Sequence, residues 1–325
     1  MGINGLLPLA RDAIKNVHIS DFAGKRIAVD GFVWLHRGCL SCAKELAKNQ
    51  HTTKYIAYFM QQVHLLLNNG IQPLIVFDGC DLPAKRVTNE KRRAERIENI
   101  RIAQRLEERG LIQEASEHYQ KSVEITPNVL YPLFEKLRRN NIKFIVAPYE
   151  ADAQLAYLAY NKIVDIVITE DSDLIVYQCP HALFKLDREG YCQSLSRSDF
   201  LQLPIISEMK GDQKMIVESC VLSGCDYLPS IPRMGIRTAM KRMLLYRSGE
   251  AVISGLRAEG KWEIPDDYEQ KFKDACSIFY QQLVFDPKNK CAVGIYDRCT
   301  LDIAGPLISD YEATNIAYGR MNPKT

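Results

Sequence analysis

The 325-residue chain has almost no net charge: 42 Lys and Arg stand against 40 Asp and Glu, which leaves +2. Net charge alone therefore points to no polyanionic partner, and the distribution of charge has to decide. The longest uncharged stretch, Tyr55 to Phe77, contains Gln61, Gln62, His64, Asn68, Asn69, Gly70, Gln72 and Pro73. That is too polar for a hydrocarbon core, and it divides into a helix near 54–69, a Gly turn and a buried strand at 73–78. Met1-Gly2-Ile3-Asn4-Gly5-Leu6 has neither the basic nor the apolar region of a signal peptide. Leu6 stands where myristoylation needs Ser or Thr. Ten cysteines include a single C-x-x-C pair, Cys39 and Cys42, so no zinc set is completed. They read as reduced thiols in a cytosolic or nuclear compartment. No G-x-x-x-x-G-K-[ST] phosphate loop and no G-x-S-x-G nucleophile elbow is present. Gly2-x-x-Gly5 follows no strand, and Asp30-Gly31-Phe32 lacks the second Asp of a haloacid-type phosphatase.

What is present is ordinary for a folded protein: 46% hydrophobic and 25% charged residues, which excludes a disordered, collagen-like or disulfide-scaffold chain. At ~150 residues per domain the length allows about two domain equivalents. Apolar β-branched runs recur at Lys25–Asp30, Pro73–Asp78, Lys143–Pro148 and Asp165–Thr169, with a weaker one at Ala182–Leu186. They lack polar alternation, as strands buried on both faces do. Helical patterns lie between them near 35–47, 54–69, 128–140 and 151–161. The alternation predicts an α/β fold, a central mainly parallel twisted sheet flanked by helices. From about 84 to 125 charge is dense and no strand pattern occurs. Two helical segments flank Gly110, the second with Leu111, Ala115, Tyr119 and Val123 on one stripe. After about 215 the chain again reads as mostly helical.

The predicted strands end in acid. Asp30 and Asp78 each close a run, Glu150 and Asp152 follow the third, and Asp171 and Asp173 follow the fourth. Ligands of open α/β sheets bind beyond the carboxyl ends of the strands. Six carboxylates there would repel one another unless positive charge lay between them. An all-oxygen acidic cluster suits Mg²⁺ or Mn²⁺ rather than zinc. Two such ions about 3.5–4 Å apart are an arrangement that cleaves phosphodiesters. A single Asp at such a place caps a helix or closes a turn; four successive strands ending in acid favour the metal reading.

The helical insertion begins Lys85-Arg86 and continues Lys91-Arg92-Arg93-Ala94-Glu95-Arg96. On a helix, Lys85 and Arg92 share one face about 10 Å apart. Above the acidic edge they would stabilise charge on phosphoryl oxygens; otherwise they belong to a solvated face paired with Glu90, Glu95 and Glu98. Just after Asp30 come Phe32, Trp34, His36 and Arg37. An aromatic there can stack a terminal base, although Trp34 reads as core. His36 is either a wedge at a duplex end or a surface residue. Asp226 closes Leu222-Ser223-Gly224-Cys225-Asp226-Tyr227, and Gly235, Arg237, Thr238, Lys241 and Arg242 follow. That element either grips a duplex backbone or is an ordinary helical hairpin.

These segments resemble the structure-specific 5′ nuclease (flap endonuclease-like) superfamily and, within it, the exonuclease 1 family. The resemblance is carried by Met1-Gly2-Ile3-x-Gly5-Leu6, Ala28-Val29-Asp30-Gly31-Phe32-x-Trp34-Leu35-His36, Val76-Phe77-Asp78-Gly79, Val146–Gln154, Ile168–Leu174 and Leu222–Tyr227, in the family's order over nearly the whole chain. It implies one nuclease domain over 1–325, with a helical arch at about 84–128 and a helix-two-turn-helix element at about 215–250. It implies a two-metal site of Asp30, Asp78, Glu150, Asp152, Asp171, Asp173 and Asp226, holding Mg²⁺ with Mn²⁺ as a substitute. It places Lys85 and Arg92 over the scissile phosphate. It implies removal of Met1, a Gly2 terminus near the site, Phe32 stacked on substrate and His36 as the wedge. It further implies DNA contacts from Arg93, Arg96, Gly235, Arg237, Thr238 and Lys241. The family's turn reads Gly-Ile-Gly where this chain has Arg233-Met234-Gly235, and losing the first glycine restricts φ, which bears on the K⁺ that backbone carbonyls bind there. A long C-terminal tail that binds repair partners is expected to be absent or removed.

The implied activity is metal-dependent 5′→3′ exonucleolysis of double-stranded DNA at ends, nicks or gaps, with cleavage of 5′ flaps. The implied roles are mismatch repair, end resection and recombination in the nucleus, by a monomer with no membrane association. The competing enzyme reading is a flap endonuclease releasing oligonucleotides. The competing non-enzyme reading is an inert DNA-end-binding module, against which the acid argues, since a binding site gains nothing from carboxylates beside phosphate.

Overall fold

The computed structural model describes residues 2–296 and 304–323, so the expected removal of Met1 concerns a residue outside that range. The strands are β1 (Lys15–His18), β2 (Arg26–Asp30), β3 (Gln72–Phe77), β4 (Lys143–Val146), β5 (Ile166–Ile168), β6 (His181–Phe184), β7 (Tyr191–Ser196), β8 (Leu283–Asp286) and β9 (Cys291–Gly294). Among the described residues the first seven form one sheet, ordered β1-β7-β6-β5-β2-β3-β4. β2 to β6 are parallel, and β7 and β1 continue the sheet antiparallel. The five apolar runs are the five parallel strands. The sequence does not reveal β1, an edge strand, or its neighbour β7, because Lys15-Asn16-Val17-His18 and Gln193-Ser194 interrupt any apolar run with polar residues.

Successive strand residues face opposite ways. Ala28, Val76 and Val167 join one core with the helices Ala151–Tyr160 and Gln213–Leu222. Ile27, Val29, Ile75, Phe77, Ile166 and Ile168 join the other with Gly31–Leu40, Lys54–Asn68 and Pro127–Arg139. Trp34 belongs to this second core, edge-on to Phe59 at 5.7 Å between ring centroids. Gly31 is required at the helix start, since a β-carbon there would strike the Phe77 ring. The predicted helix near 35–47 is two helices, Gly31–Leu40 and Ala43–Ala47, separated at Ser41-Cys42. β2 pairs with β3 on one side and β5 on the other. The chain therefore reverses its direction of travel across the sheet at β2, which opens a crevice at that strand's carboxyl end. Asp30 stands there.

Between β3 and β4 the chain leaves the sheet as two helices, Arg86–Glu108 and Ile112–Lys121, joined through Gly110 at φ +78°. Ala115, Tyr119 and Val123 are buried on the stripe read from the sequence. Tyr119 Oη donates to Glu107 Oε2 at 2.8 Å, and Lys44 and Lys48 pair with Glu107, which ties the insertion to the helix Ala43–Ala47. Beyond residue 215 the chain is less purely helical than its sequence suggests, since β8 and β9 form a hairpin. That hairpin is fixed by a distant side chain: Gln154 Nε2 donates to the Phe285 carbonyl at 2.8 Å, and Phe285 N donates to Gln154 Oε1 at 2.7 Å. No helix among the described residues is long and apolar enough to cross a membrane.

Candidate active site

The carboxyl ends of β2 to β5 bring the predicted acids to one sheet edge. Asp30 is the last residue of β2, and Asp78 directly follows β3. Glu150 occupies the position just before the helix that follows β4, its side chain free of any capping bond, with Asp152 in the first turn. Asp171 and Asp173 follow β5. Asp226 arrives from the turn after the helix Gln213–Leu222. Local hydrogen bonds aim these groups. Asp30 Oδ1 accepts from Phe32 N at 3.1 Å, and its Oδ2 accepts from Thr169 Oγ1 at 3.3 Å. Asp78 Oδ1 accepts from Ala151 N at 2.7 Å. Asp171 N donates to Thr169 Oγ1, and Asp171 Oδ1 accepts from Asp173 N, each at 3.0 Å. Asp173 Oδ1 accepts from Ile3 N at 3.1 Å, which draws the N-terminal segment onto the site. Gly2 sits at φ +83° against Asp171 and Ser172, where a β-carbon would collide with both.

The acids repel one another. Burial, then Asp78 and Asp171, push the Asp30 carboxyl up to about 7. Burial followed by Asp171, Asp30 and Asp173 holds Asp152 well above the carboxylate range. Burial and then Asp171, with Asp226 and Glu150 adding to it, do the same to Asp173. Asp171 is raised chiefly by burial, against hydrogen bonding from Asp173 N and the charge of Lys85. Asp226 differs. Burial pushes it up, but Lys85 and Arg92 outweigh that and hold it below its ordinary value.

Lys85 lies in a short 3-10 turn, Pro83–Lys85, and not in the arch helix that starts at Arg86. Its ammonium is ion-paired to Glu150, stands 3.1 Å from Asp226 Oδ2, and lies over the Tyr227 ring at 5.4 Å. Burial alone would lower its pKa, but Glu150, Asp226 and Asp152 raise it well above the usual lysine value. Arg92 Nη2 donates to both oxygens of Asp226, at 2.9 and 3.1 Å. Lys85 is therefore turned inward to the acids, whereas Arg92 pairs with Asp226 from a partly exposed position. Among the described residues no three acid, His or Cys side chains form a ready-closed metal cage. Lys85 serves as their internal counter-ion.

Between the helix Arg86–Glu108 and the carboxyl ends of β3 and β4 lies a cavity of about 660 Å³. Asp78, Glu150 and Lys85 border it on the sheet side, and Arg92, Arg93 and Arg96 on the arch side. Phe32 and His36 also line it. His36 is exposed by surface area, yet its packed surroundings and then Arg96 hold its imidazole below the ordinary value. Gly235, Arg237, Thr238 and Lys241 do not line this cavity. They lie at the start of and along the helix Ile236–Tyr246, with Gly235, Arg237 and Lys241 exposed. Arg233 adopts φ +68°, the left-handed conformation a glycine would take, despite its side chain. Its guanidinium donates to the Lys261 carbonyl at 3.3 Å and lies over Trp262. The restriction expected from losing glycine is thus overcome by a guanidinium held outside the turn.

Sequence reasoning misses two residues that touch Glu150, and a third behind them. Tyr227 Oη donates to Glu150 Oε2, and Gln282 Nε2 donates to the same oxygen at 2.8 Å. Tyr177 Oη lies 3.1 Å from Tyr227 Oη. Tyr227 is signalled by its place beside Asp226; Gln282, 132 residues from Glu150, carries no local signal.

The XPG N-terminal domain matches residues 1–99 and the XPG I-region matches residues 141–226. Exonuclease 1 of Arabidopsis thaliana is 39% identical over all of this chain and 45% of its own length, so the chain spans under half of that relative. DNA damage-inducible protein DIN7 of Saccharomyces cerevisiae is 36% identical over 88% of this chain and 67% of its own length. Among solved structures, the catalytic core of Rad2 in complex with DNA substrate superposes with a TM-score of 0.66, at 20% identity, over 98% of this chain and all of that one.

Proposed function

The chain belongs to the exonuclease 1 family of XPG nucleases, and on that premise we propose that it is a metal-dependent 5′→3′ exodeoxyribonuclease of double-stranded DNA that also cuts 5′ flaps. The supporting observation is the gathering of the site's carboxylates at one sheet edge, where burial and like charge raise Asp30, Asp152 and Asp173, and burial chiefly raises Asp171. Buried acids that raise one another need more positive charge than Lys85 and Arg92 supply. An all-oxygen donor set of Asp30, Asp78, Glu150, Asp152, Asp171, Asp173 and Asp226 fits two Mg²⁺, or Mn²⁺ in their place. When bound, such ions supply Lewis acidity, which lowers the pKa of water and offsets charge on the departing 3′-oxygen.

The chain's own residues do the rest. Lys85 and Arg92 turn from Glu150 and Asp226 to the scissile phosphate and stabilise charge on its oxygens. The terminal nucleotides unpair at a cost of a few kcal/mol to reach the site, with Phe32 stacking on a base and His36 wedging the duplex end. Arg93 and Arg96 hold backbone phosphates, and Gly2 packs the N-terminus beneath them. Gly235, Arg237, Thr238 and Lys241 grip the duplex beyond the cut. K⁺ can still be held there, since Arg233 keeps the turn conformation of a glycine. We extend the reading to a single nuclease domain working as a monomer in mismatch repair, end resection and recombination in the nucleus.

Product size tests the assignment: a nicked duplex should yield mononucleotides. Predominant oligonucleotides from the nick would make the chain a flap endonuclease instead.

A dependence on pH follows from the same charges. In the unfolded chain these aspartates titrate near ~3.9. Their folded values are raised, so their stability contribution is present at low pH and lost as pH rises through the folded values, about 7 for Asp30. Mg²⁺ compensates only the ionised forms. The gain in Tm on adding saturating Mg²⁺ should therefore be small near about pH 5 and grow toward about pH 8. Thermal scans with Mg²⁺ or EDTA measure it; a gain independent of pH would count against a metal role for the cluster.

A further inference from the structure

Glu150 is held differently at its two oxygens. Oε1 pairs with Lys85, a mobile side chain's cation and not a fixed neutral donor. Oε2 is held by neutral donors from two distant segments: Tyr227 Oη, and Gln282 Nε2 at 2.8 Å. Gln282 is fully buried where the helix Tyr268–Gln281 gives way to β8. Its Nε2 also lies 2.6 Å from Tyr177 Oη and 3.0 Å from Tyr227 Oη. Both tyrosine rings pack on Phe279, with centroids 5.1 and 5.3 Å away. The Gln282 backbone is fixed as well, since its carbonyl accepts from Ile295 N at 2.9 Å. The amide orientation is dictated by Glu150: a carbonyl in place of Nε2 would face a carboxylate oxygen. The cost of that choice is visible, because Gln282 Oε1 is buried with no hydrogen-bond partner among the described residues. A buried amide acceptor left unsatisfied is expensive, and it is retained here in a network whose other end is a site carboxylate.

We propose that Gln282, with Tyr227 and Tyr177, is a positioning residue that saturates Glu150 Oε2, so that Oε1 alone is free to exchange Lys85 for a divalent ion. Glu150 then offers one oxygen of fixed direction. Lys85 leaves it for phosphate when the ion arrives, which couples ion entry to release of the lysine. Groups that orient metal-binding carboxylates typically contribute 10–100-fold in metal affinity. The inference rests on the metal-nuclease reading, and its test separates the two.

The test is Mn²⁺ binding by the intact chain, measured without DNA by electron paramagnetic resonance of the free ion. Gln282→Met removes the donor at similar volume, and Tyr227→Phe removes one hydroxyl only, which keeps the test open if the first variant folds poorly. Each should weaken Mn²⁺ binding, Gln282→Met by about tenfold or more. The double variant should lose less than the product of the two, because both donors serve one oxygen. Duplex affinity in EDTA should be unchanged, and excess Mg²⁺ should restore turnover. Wild-type Mn²⁺ affinity in correctly folded Gln282→Met and Tyr227→Phe overturns the positioning role alone. A wild-type protein that binds no Mn²⁺ overturns the metal reading and this inference with it.

Discussion

Replacing Asp173 by alanine is expected to lower Mg²⁺-dependent duplex cleavage on the order of 10³-fold or more, as loss of one member of an interdependent site does. Asp173 is among the most enclosed of the acids at 3% exposure, and its carboxyl is pushed up by burial first and then by Asp171. It also accepts the Ile3 backbone N–H. Alanine therefore strands a donor as well as deleting a charge, and activity alone could not separate the two effects. Asp173→Asn keeps an acceptor for Ile3 N and removes only the charge. Both variants should be inactive, whereas in EDTA the asparagine protein should be at least as stable as wild type, because a repelled buried carboxylate is gone. Cleavage retained by Asp173→Asn would mean that the charge is not needed. An inert DNA-end-binding module would show no Mg²⁺-dependent cleavage to lose.

Lys85→Ala should reduce turnover by about 10²–10³-fold, the usual effect of removing one stabiliser of transition-state charge, with little change in duplex affinity. The structure adds a second expectation. Lys85 neutralises Glu150 and Asp226 and draws down Asp152, Asp171 and Asp173. Without it the metal-free protein should melt at a lower temperature than wild type, and Mg²⁺ should add more to its Tm than to that of wild type. Single-turnover kinetics, fluorescence anisotropy in EDTA and paired thermal scans read the three quantities. Equal losses in turnover and affinity would leave Lys85 as a simple phosphate clamp.

The parallel sheet and the convergence of the acids were legible because each depends on local sequence. An apolar β-branched run ending in Asp states both the strand and the edge at which its acid emerges, as Asp30 and Asp78 do. The buried stripe of the arch was legible from four-residue spacing. What stayed hidden is non-local. The hairpin β8–β9 is pinned by Gln154, 131 residues away in the sequence. Gln282 reaches Glu150 only through tertiary packing. The edge strand β1 and its neighbour β7 carry polar residues and give no apolar run. Arg233 shows the converse: a residue expected to restrict its turn adopts the left-handed conformation, held from outside by Trp262 and the Lys261 carbonyl. The near-neutral total of +2 hides a local pattern: acids gather at the sheet edge, Arg92, Arg93 and Arg96 line the cavity opposite, and Arg237 and Lys241 lie on the helix Ile236–Tyr246.

The most direct measurement is a time course on one duplex labelled at its 5′ end and, separately, at its 3′ end, with Mg²⁺ or with EDTA. With Mg²⁺ the 5′ label should be released first, as a mononucleotide, while the 3′-labelled strand shortens progressively, and EDTA should stop both. Early release of the 3′ label, or cleavage that persists in EDTA, would contradict the assignment.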